Sequence, residues 1–241
     1  MRNSAVVGAL SAIVFGISGL AWTAFELVPQ SLGFNDTDDP AVGLAYLREN
    51  AEVYAMAGIA LLVMSLALTI VVFTIWDLLV GRSGSLALRS VSAMGLMASA
   101  SFFLFGVLRY GVYPMLYIDG LNPAWGEVTY LVGQMAGVHG FAQAAILLGC
   151  SWALGVALLG NRSGVLPRWL AVLAILPAVR LLSILGPTRI LEGLPGELWI
   201  VLMLAIPGTM AWFILLGVAM LRRVRVSPQT QATVQPQRAD P

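Results

Sequence analysis

The sequence predicts an all-α fold: a polytopic membrane helix bundle of six transmembrane helices, with the N- and C-termini both inside. Three observations carry this. Hydrophobic residues make up 59% of the 241 residues and charged residues 10%, where a soluble domain carries roughly 45–50% and ~25%. The apolar residues gather into six segments, each bounded by turn or charged residues. The arginines between them alternate from side to side in the order that six crossings require. The same composition excludes a soluble enzyme and a disordered chain, and a single cysteine excludes a disulfide scaffold. A net charge of +1 with scattered arginines excludes a nucleic-acid binder.

The segments run over about 4–28, 52–79, 90–114, 128–160, 168–186 and 197–221. The first follows one arginine and looks like a signal peptide. It is longer than a ~7–15-residue signal core and lacks a clear A-x-A site, so it is expected to be an uncleaved span ending at Pro29. The second runs from Glu52 to the turn Gly81-Arg82-Ser83-Gly84, and the third closes near Pro114. The fourth exceeds the ~20 residues a crossing needs, which predicts tilt or projection from the bilayer. The fifth opens after Pro167 and closes at Gly186-Pro187; the sixth stops at Arg222-Arg223. Pro177 and Pro207-Gly208 predict kinks, and Pro177 frees a backbone carbonyl one turn upstream. Backbone groups in lipid must pair within their own segment, so these are helices; ~10-residue alternating strands are not seen.

The longest outer loop spans about 29–51, where Asp38-Asp39-Pro40 predicts a short helix over 41–47. Asp36, Asp38 and Asp39 lack the glycine and glutamate spacing of a calcium loop. No metal and no cofactor are expected. Residues 1–226 form the six-helix transmembrane domain; 227–241 form a polar, Pro- and Gln-rich, disordered cytoplasmic tail.

Orientation follows from charge. All 13 positive residues are arginines. Arg2, Arg82, Arg89, Arg162, Arg168, Arg222, Arg223, Arg225 and Arg238 fall on one side; Arg48 and Arg189 fall on the other. The chain reads as bacterial, which places it in the plasma (inner) membrane as a multi-pass protein with membrane lipids around it. Trp22, Trp125 and Trp199 are expected in an outer interfacial belt, and Trp76, Trp152 and Trp169 in an inner one. The tyrosines all fall in the outer half. Cys150 is expected to be a small buried apolar residue.

Chemistry has few carriers. A charge at the bilayer centre costs at least ~2.5–3.5 kcal/mol on insertion scales, so each one needs a reason. Arg109 and Arg180 lie inside spans, with Glu26 near the outer end of the first and His139 within the fourth. All project to the outer half or midplane. They predict a polar cluster of Glu26, Arg109, His139 and Arg180, with Tyr113, Gln134 and Gln143 around it. One carboxylate against two guanidiniums leaves net positive charge, which suits an anion or a lipid headgroup. The alternatives are a structural Glu26–arginine pair with the second arginine snorkelling, or a proton relay through His139 and Glu26. Gly133, Gly137 and Gly140 fall on one α-helical face and predict close approach of a neighbouring helix.

Enzyme signatures are weak. One histidine cannot supply bis-His haem ligation or a histidine-rich metal site. Gly81-Arg82-Ser83-Gly84 matches the G-x-S-G of rhomboid proteases, but it sits in a basic turn, far from His139. Three function classes stay open. One is a non-enzymatic accessory or structural component, with other membrane subunits or a second copy as partner. Another is a small transporter or lipid/anion-binding protein using the arginine cluster. The third is a membrane enzyme on a lipid-like substrate.

Leu78–Leu86 echoes Leu158–Leu166, either as a parallel helical repeat or because both turns need arginine and glycine. The second turn continues as Arg162-Ser163-Gly164-Val165-Leu166-Pro167-Arg168-Trp169. This R-S-G-x-L-P-R-W run resembles a group of bacterial six-helix integral membrane proteins of unknown function, in which a similar turn links helices four and five. The resemblance implies the six-helix architecture and no activity.

Overall fold

The apolar segments fold as helices, and no strand occurs among the described residues. The computed structural model describes residues 2–31, 40–112, 123–185 and 196–226. In chain order they form α1 (Arg2–Ser31), α2 (Pro40–Glu49), α3 (Ala51–Leu79), α4 (Ser85–Val112) and α5 (Pro123–Val132). A π-helix (Gly133–Ala142) follows, then α6 (Gln143–Arg162), α7 (Arg168–Leu173), α8 (Ile175–Leu185) and α9 (Gly196–Val226). Among the described residues five helices are long and apolar enough to cross a membrane, through Asn3–Phe25, Ala51–Leu79, Leu86–Gly111, Gly140–Arg162 and Leu204–Val224. The short helix expected after Asp39 is α2. The tail from 227 lies outside the described residues, as do Asp36, Asp38 and Asp39.

Neighbouring helices run antiparallel. Gly8 meets Thr74 and Ala9 meets Gly217, so α1 runs against α3 and α9. Ser65 pairs with Ser99 between α3 and α4. Val91 lies against Gly155 and Ala98 against Gly149 between α4 and α6. At one end, Ala5, Leu78, Val165, Leu166, Met220 and Arg223 surround a single small cavity. The start of α1, the end of α3, the turn before α7 and the end of α9 therefore lie together, and the arginines around them form one basic end.

The segment 168–186 departs from expectation. It is two helices broken at Ala174, and Arg168–Leu185 measures ~27 Å at 1.5 Å per residue, just under a ~30 Å hydrocarbon core. The break follows from Pro177, which has no N–H for the carbonyl of Leu173 and whose ring crowds that carbonyl. The Ala174 N–H turns to the Ala171 carbonyl at 3.3 Å. The carbonyl of Leu170 is thereby left without its α-helical donor, and the indole Nε1–H of Trp212 donates to it at 3.0 Å. Trp212 thus ties α9 to the break. Leu176 packs against Gly208, so α7–α8 run antiparallel along α9. The other expected kink site behaves differently: α9 continues as helix through Pro207.

Small residues let the helices approach, as they must where lipid removes the hydrophobic drive between spans. A Cβ on Gly16 would stand 2.6 Å from the Met210 carbonyl oxygen, and one on Gly58 would stand 2.8 Å from the Tyr110 nitrogen. A Cβ on Gly217 would collide with the Ala9 carbonyl oxygen. The outward faces are apolar instead: Val7, Leu10, Val14 and Ile17 of α1 are all exposed. Inside, Phe15, Phe102, Trp152, Trp212 and Phe213 form an aromatic core, with Phe15 and Phe213 at 4.2 Å between ring centres. The belt expectation therefore fails at two positions. Trp152 is wholly buried in this core, stacked on Phe213, and Trp22 is buried against Phe105. Trp125 and Trp169 are exposed.

The two echoing turns are built differently. Gly81 (φ +79°) and Gly164 (φ +65°) take the left-handed conformation, but they do not align in the echo, where Gly164 matches Gly84. In the second turn the Gly164 N–H bonds the Asn161 carbonyl and the Val165 N–H bonds the Gly160 carbonyl, both Schellman bonds. Leu166 then folds over Gly160, where a Cβ would stand 2.5 Å from its Cδ1. The likeness of the turns lies in composition, not in backbone.

Candidate functional site

Arg109 and Arg180 occupy separate places. Arg109, on α4, is buried, with its guanidinium 4.6 Å from the Tyr54 ring centre and 4.7 Å from that of Phe105. Phe105 lies one turn back on the same helix, and Tyr54 comes from α3. The approach of α3 and α4 at Gly58 and Gly106 brings these groups together. A cation placed over aromatic faces gains ~0.5–2 kcal/mol, more when desolvated. Arg109 is thus met by π-faces and fastens α3 to α4.

Arg180, on α8, is partly buried and reaches a cavity inside the bundle. Phe15 and Trp22 (α1), Phe102 (α4), Cys150 (α6) and Thr209 and Phe213 (α9) surround it. The room for the centre of a water molecule is about 30 Å³, enough for one or two waters where a water needs ~10–15 Å³. One guanidinium nitrogen donates to the Ser183 hydroxyl at 3.3 Å, and that hydroxyl donates to the Arg180 carbonyl at 2.7 Å. Ser183 so ties the guanidinium to the backbone of α8. Among the described residues no carboxylate lines the cavity. Arg109 does not line it either; the edge-to-face pair of Phe105 and Trp22, 6.3 Å between centres, has Arg109 at one ring and the cavity at the other.

The remaining expected members divide as follows. Gln143 is exposed at the start of α6. Glu26 is on α1, and Gln134 and His139 are on the π-helix, but their side chains lie outside the described residues, as does the whole of Tyr113. The three glycines do not share one contact face. A Cβ on Gly137 would touch the Phe105 ring at 3.4 Å, one on Gly133 would meet nothing within 4 Å, and Gly140 is exposed. The expectation assumed α-helical spacing. The i→i+5 bonding of a π-helix, with about 4.4 residues per turn, swings Gly140 away from Gly133 and Gly137. The close-approach positions are instead Gly16, Gly58, Gly106 and Gly217.

Two features escaped the sequence reading. Ser65, Thr69 and Ser99 form a hydroxyl cluster between α3 and α4, with the Ser99 Oγ 2.7 Å from Thr69 and donating to the Ser65 carbonyl at 2.8 Å. Ser65 and Thr69, one turn apart in an apolar span, were its only signal. Cys150 and Thr209 beside Arg180 were invisible, because residues apart in sequence meet there only through packing. Thr209 donates to the Ala205 carbonyl at 2.7 Å, so its hydroxyl is satisfied within α9.

Comparison with known proteins yields no family model, no curated protein and no solved structure that matches this chain. The described residues are helical apart from short turns, and their five long apolar helices mark the chain as a multi-pass membrane protein.

Proposed function

We propose that this chain is a six-crossing protein of the bacterial inner membrane, with both termini cytoplasmic. Its bundle binds, without chemistry, the acidic end of an amphipathic lipid-like molecule. The observation that carries the binding reading is Arg180: a guanidinium in an apolar cavity whose described lining offers aromatic rings, a thiol and a satisfied hydroxyl, but no carboxylate. Burying such a charge is costly, and an anion that enters with it offsets the cost. The cavity is narrow, so the ligand is expected to enter with rearrangement of the flanking side chains.

Six crossings are supported by the course of α7–α8 along α9. With only five crossings, Arg222 and Arg223 would sit across the membrane from Arg162, yet Arg223 hydrogen-bonds the Val165 carbonyl in the turn beside it. The R-S-G-x-L-P-R-W turn supports the same architecture by resemblance. A second reading, an accessory subunit that docks a partner helix, is favoured by the open side of Gly133.

The test is native mass spectrometry of the full chain released from its host membrane in mild detergent. Wild type is expected to carry one anionic amphiphile more than Arg180→Gln, and Arg180→Lys to retain it. An empty wild type, or equal retention in a folded Arg180→Gln, refutes the binding reading. A co-purifying protein whose release follows Gly133→Leu would favour the accessory reading.

A further inference from the structure

The basic end holds a second feature, distinct from the Arg180 cavity. A groove of about 390 Å³ runs between the turn that starts α7 and the last turns of α9, lined by Gly164, Leu166, Pro167, Trp169, Arg222 and Arg223. Its geometry follows from the turn. Gly164 has no side chain to fill the space, and nothing stands within 4 Å of where its Cβ would be. Leu166 is drawn down over Gly160, which leaves Pro167 and Trp169 as an apolar wall. Across from that wall, Arg223 hydrogen-bonds the Val165 carbonyl, so the guanidinium is held at the groove, and Arg222 is exposed beside it.

The charges converge. The charge of Arg82 acts on Arg223 across the turn, and Arg162 and Arg168 are exposed on the turn itself. Among the described carboxylates, Asp77 on α3 is at this end of the bundle; Glu49, Glu52 and Glu127 are at the other. Trp169 is exposed, as an indole at headgroup depth is. A basic groove with an apolar wall, at the rim of a membrane bundle, fits a group that is anionic at one end and apolar at the other.

We propose that this groove is a binding site for an anionic phospholipid of the adjoining leaflet, its phosphate on Arg222 and Arg223 and its glycerol and upper acyl carbons against Pro167 and Trp169. The apolar wall selects the lipid over free phosphate. The site is independent of Arg180.

The experiment uses the full chain reconstituted into vesicles of equal phosphatidylglycerol and phosphatidylcholine, then extracted in mild detergent for native mass spectrometry. Wild type is expected to retain phosphatidylglycerol preferentially, and Arg222→Gln to lower that preference about five-fold, the effect of one surface arginine. Arg222→Lys is expected to keep it, and Arg222→Gln to lower it by the same factor in an Arg180→Gln background, which separates this site from the cavity. Raising salt to 0.5 M lowers the preference in wild type without any substitution. Equal retention of the two lipids by wild type, or an unchanged preference in folded Arg222→Gln, overturns the proposal. So does displacement of phosphatidylglycerol by inorganic phosphate alone, which would make the groove a free-anion site.

Discussion

Trp212→Phe probes how the broken segment is held. The substitution keeps an aromatic ring in the core but removes the Nε1–H that reaches the Leu170 carbonyl at 3.0 Å. That carbonyl is at the break, and its usual partner, the Ala174 N–H, is engaged with Ala171. A buried acceptor left without a donor costs about 1–3 kcal/mol, while interhelical hydrogen bonds measured in membranes average nearer ~0.6 kcal/mol because the unfolded segment finds other partners. The smaller ring also leaves a gap in a packed core, where Trp212 is fully buried. We expect a loss of about 1–3 kcal/mol. The decisive comparison is with Pro177→Ala, which restores an N–H opposite the Leu173 carbonyl and allows α7 and α8 to join. The Ala174 N–H then returns to Leu170, and the tryptophan bond becomes dispensable. Trp212→Phe should therefore cost roughly 0.6–1.7 kcal/mol less in the Pro177→Ala background. The assay is reversible unfolding in mixed micelles, followed by far-UV circular dichroism, for wild type, both single variants and the double variant. Equal costs in the two backgrounds would show that the indole contributes packing alone and that the break does not depend on it.

The packing sets further outcomes. Gly217→Ala forces a methyl onto the Ala9 carbonyl and should destabilise the bundle by about 1–3 kcal/mol, whereas Gly133→Ala, with open space around it, should stabilise or leave unfolding unchanged; the same micelle assay checks both. Arg109→Gln and Tyr54→Leu should each cost ~1–2 kcal/mol and together cost less than their sum, because each removes the same ring–guanidinium contact; strict additivity in the double-variant cycle would sink that account. Arg109→Gln should also leave any ligand of the Arg180 cavity bound, read by native mass spectrometry, because Arg109 does not line it.

What could be read in advance was that the apolar segments are helices and that their arginines gather at one end; what could not was azimuth. The helices and the gathering of arginines depend on length and charge order, which the chain displays directly. Whether Trp152 faces lipid or Phe213 depends on which side of α6 points inward. In water an amphipathic stripe would answer that. In lipid the outward face is as apolar as the inward one: Val7, Val14 and Ile17 look no different in sequence from Phe15, yet they are exposed and Phe15 is not. Residue size marks some contacts, since Ala9, Gly16 and Gly217 lie at the α1–α9 approach, but it misled at Gly133 and Gly140. The same limit explains the charged cluster. Arg109 and Arg180 were placed in the same half of the membrane from sequence, but depth does not decide adjacency. Arg109 turns toward Tyr54 and Phe105, and Arg180 toward the Phe15–Phe213 core, with the Phe105–Trp22 pair between them. One guanidinium is thereby met by aromatic faces supplied by the fold. The other reaches an apolar cavity, and of the two it is the one on which the proposed binding rests.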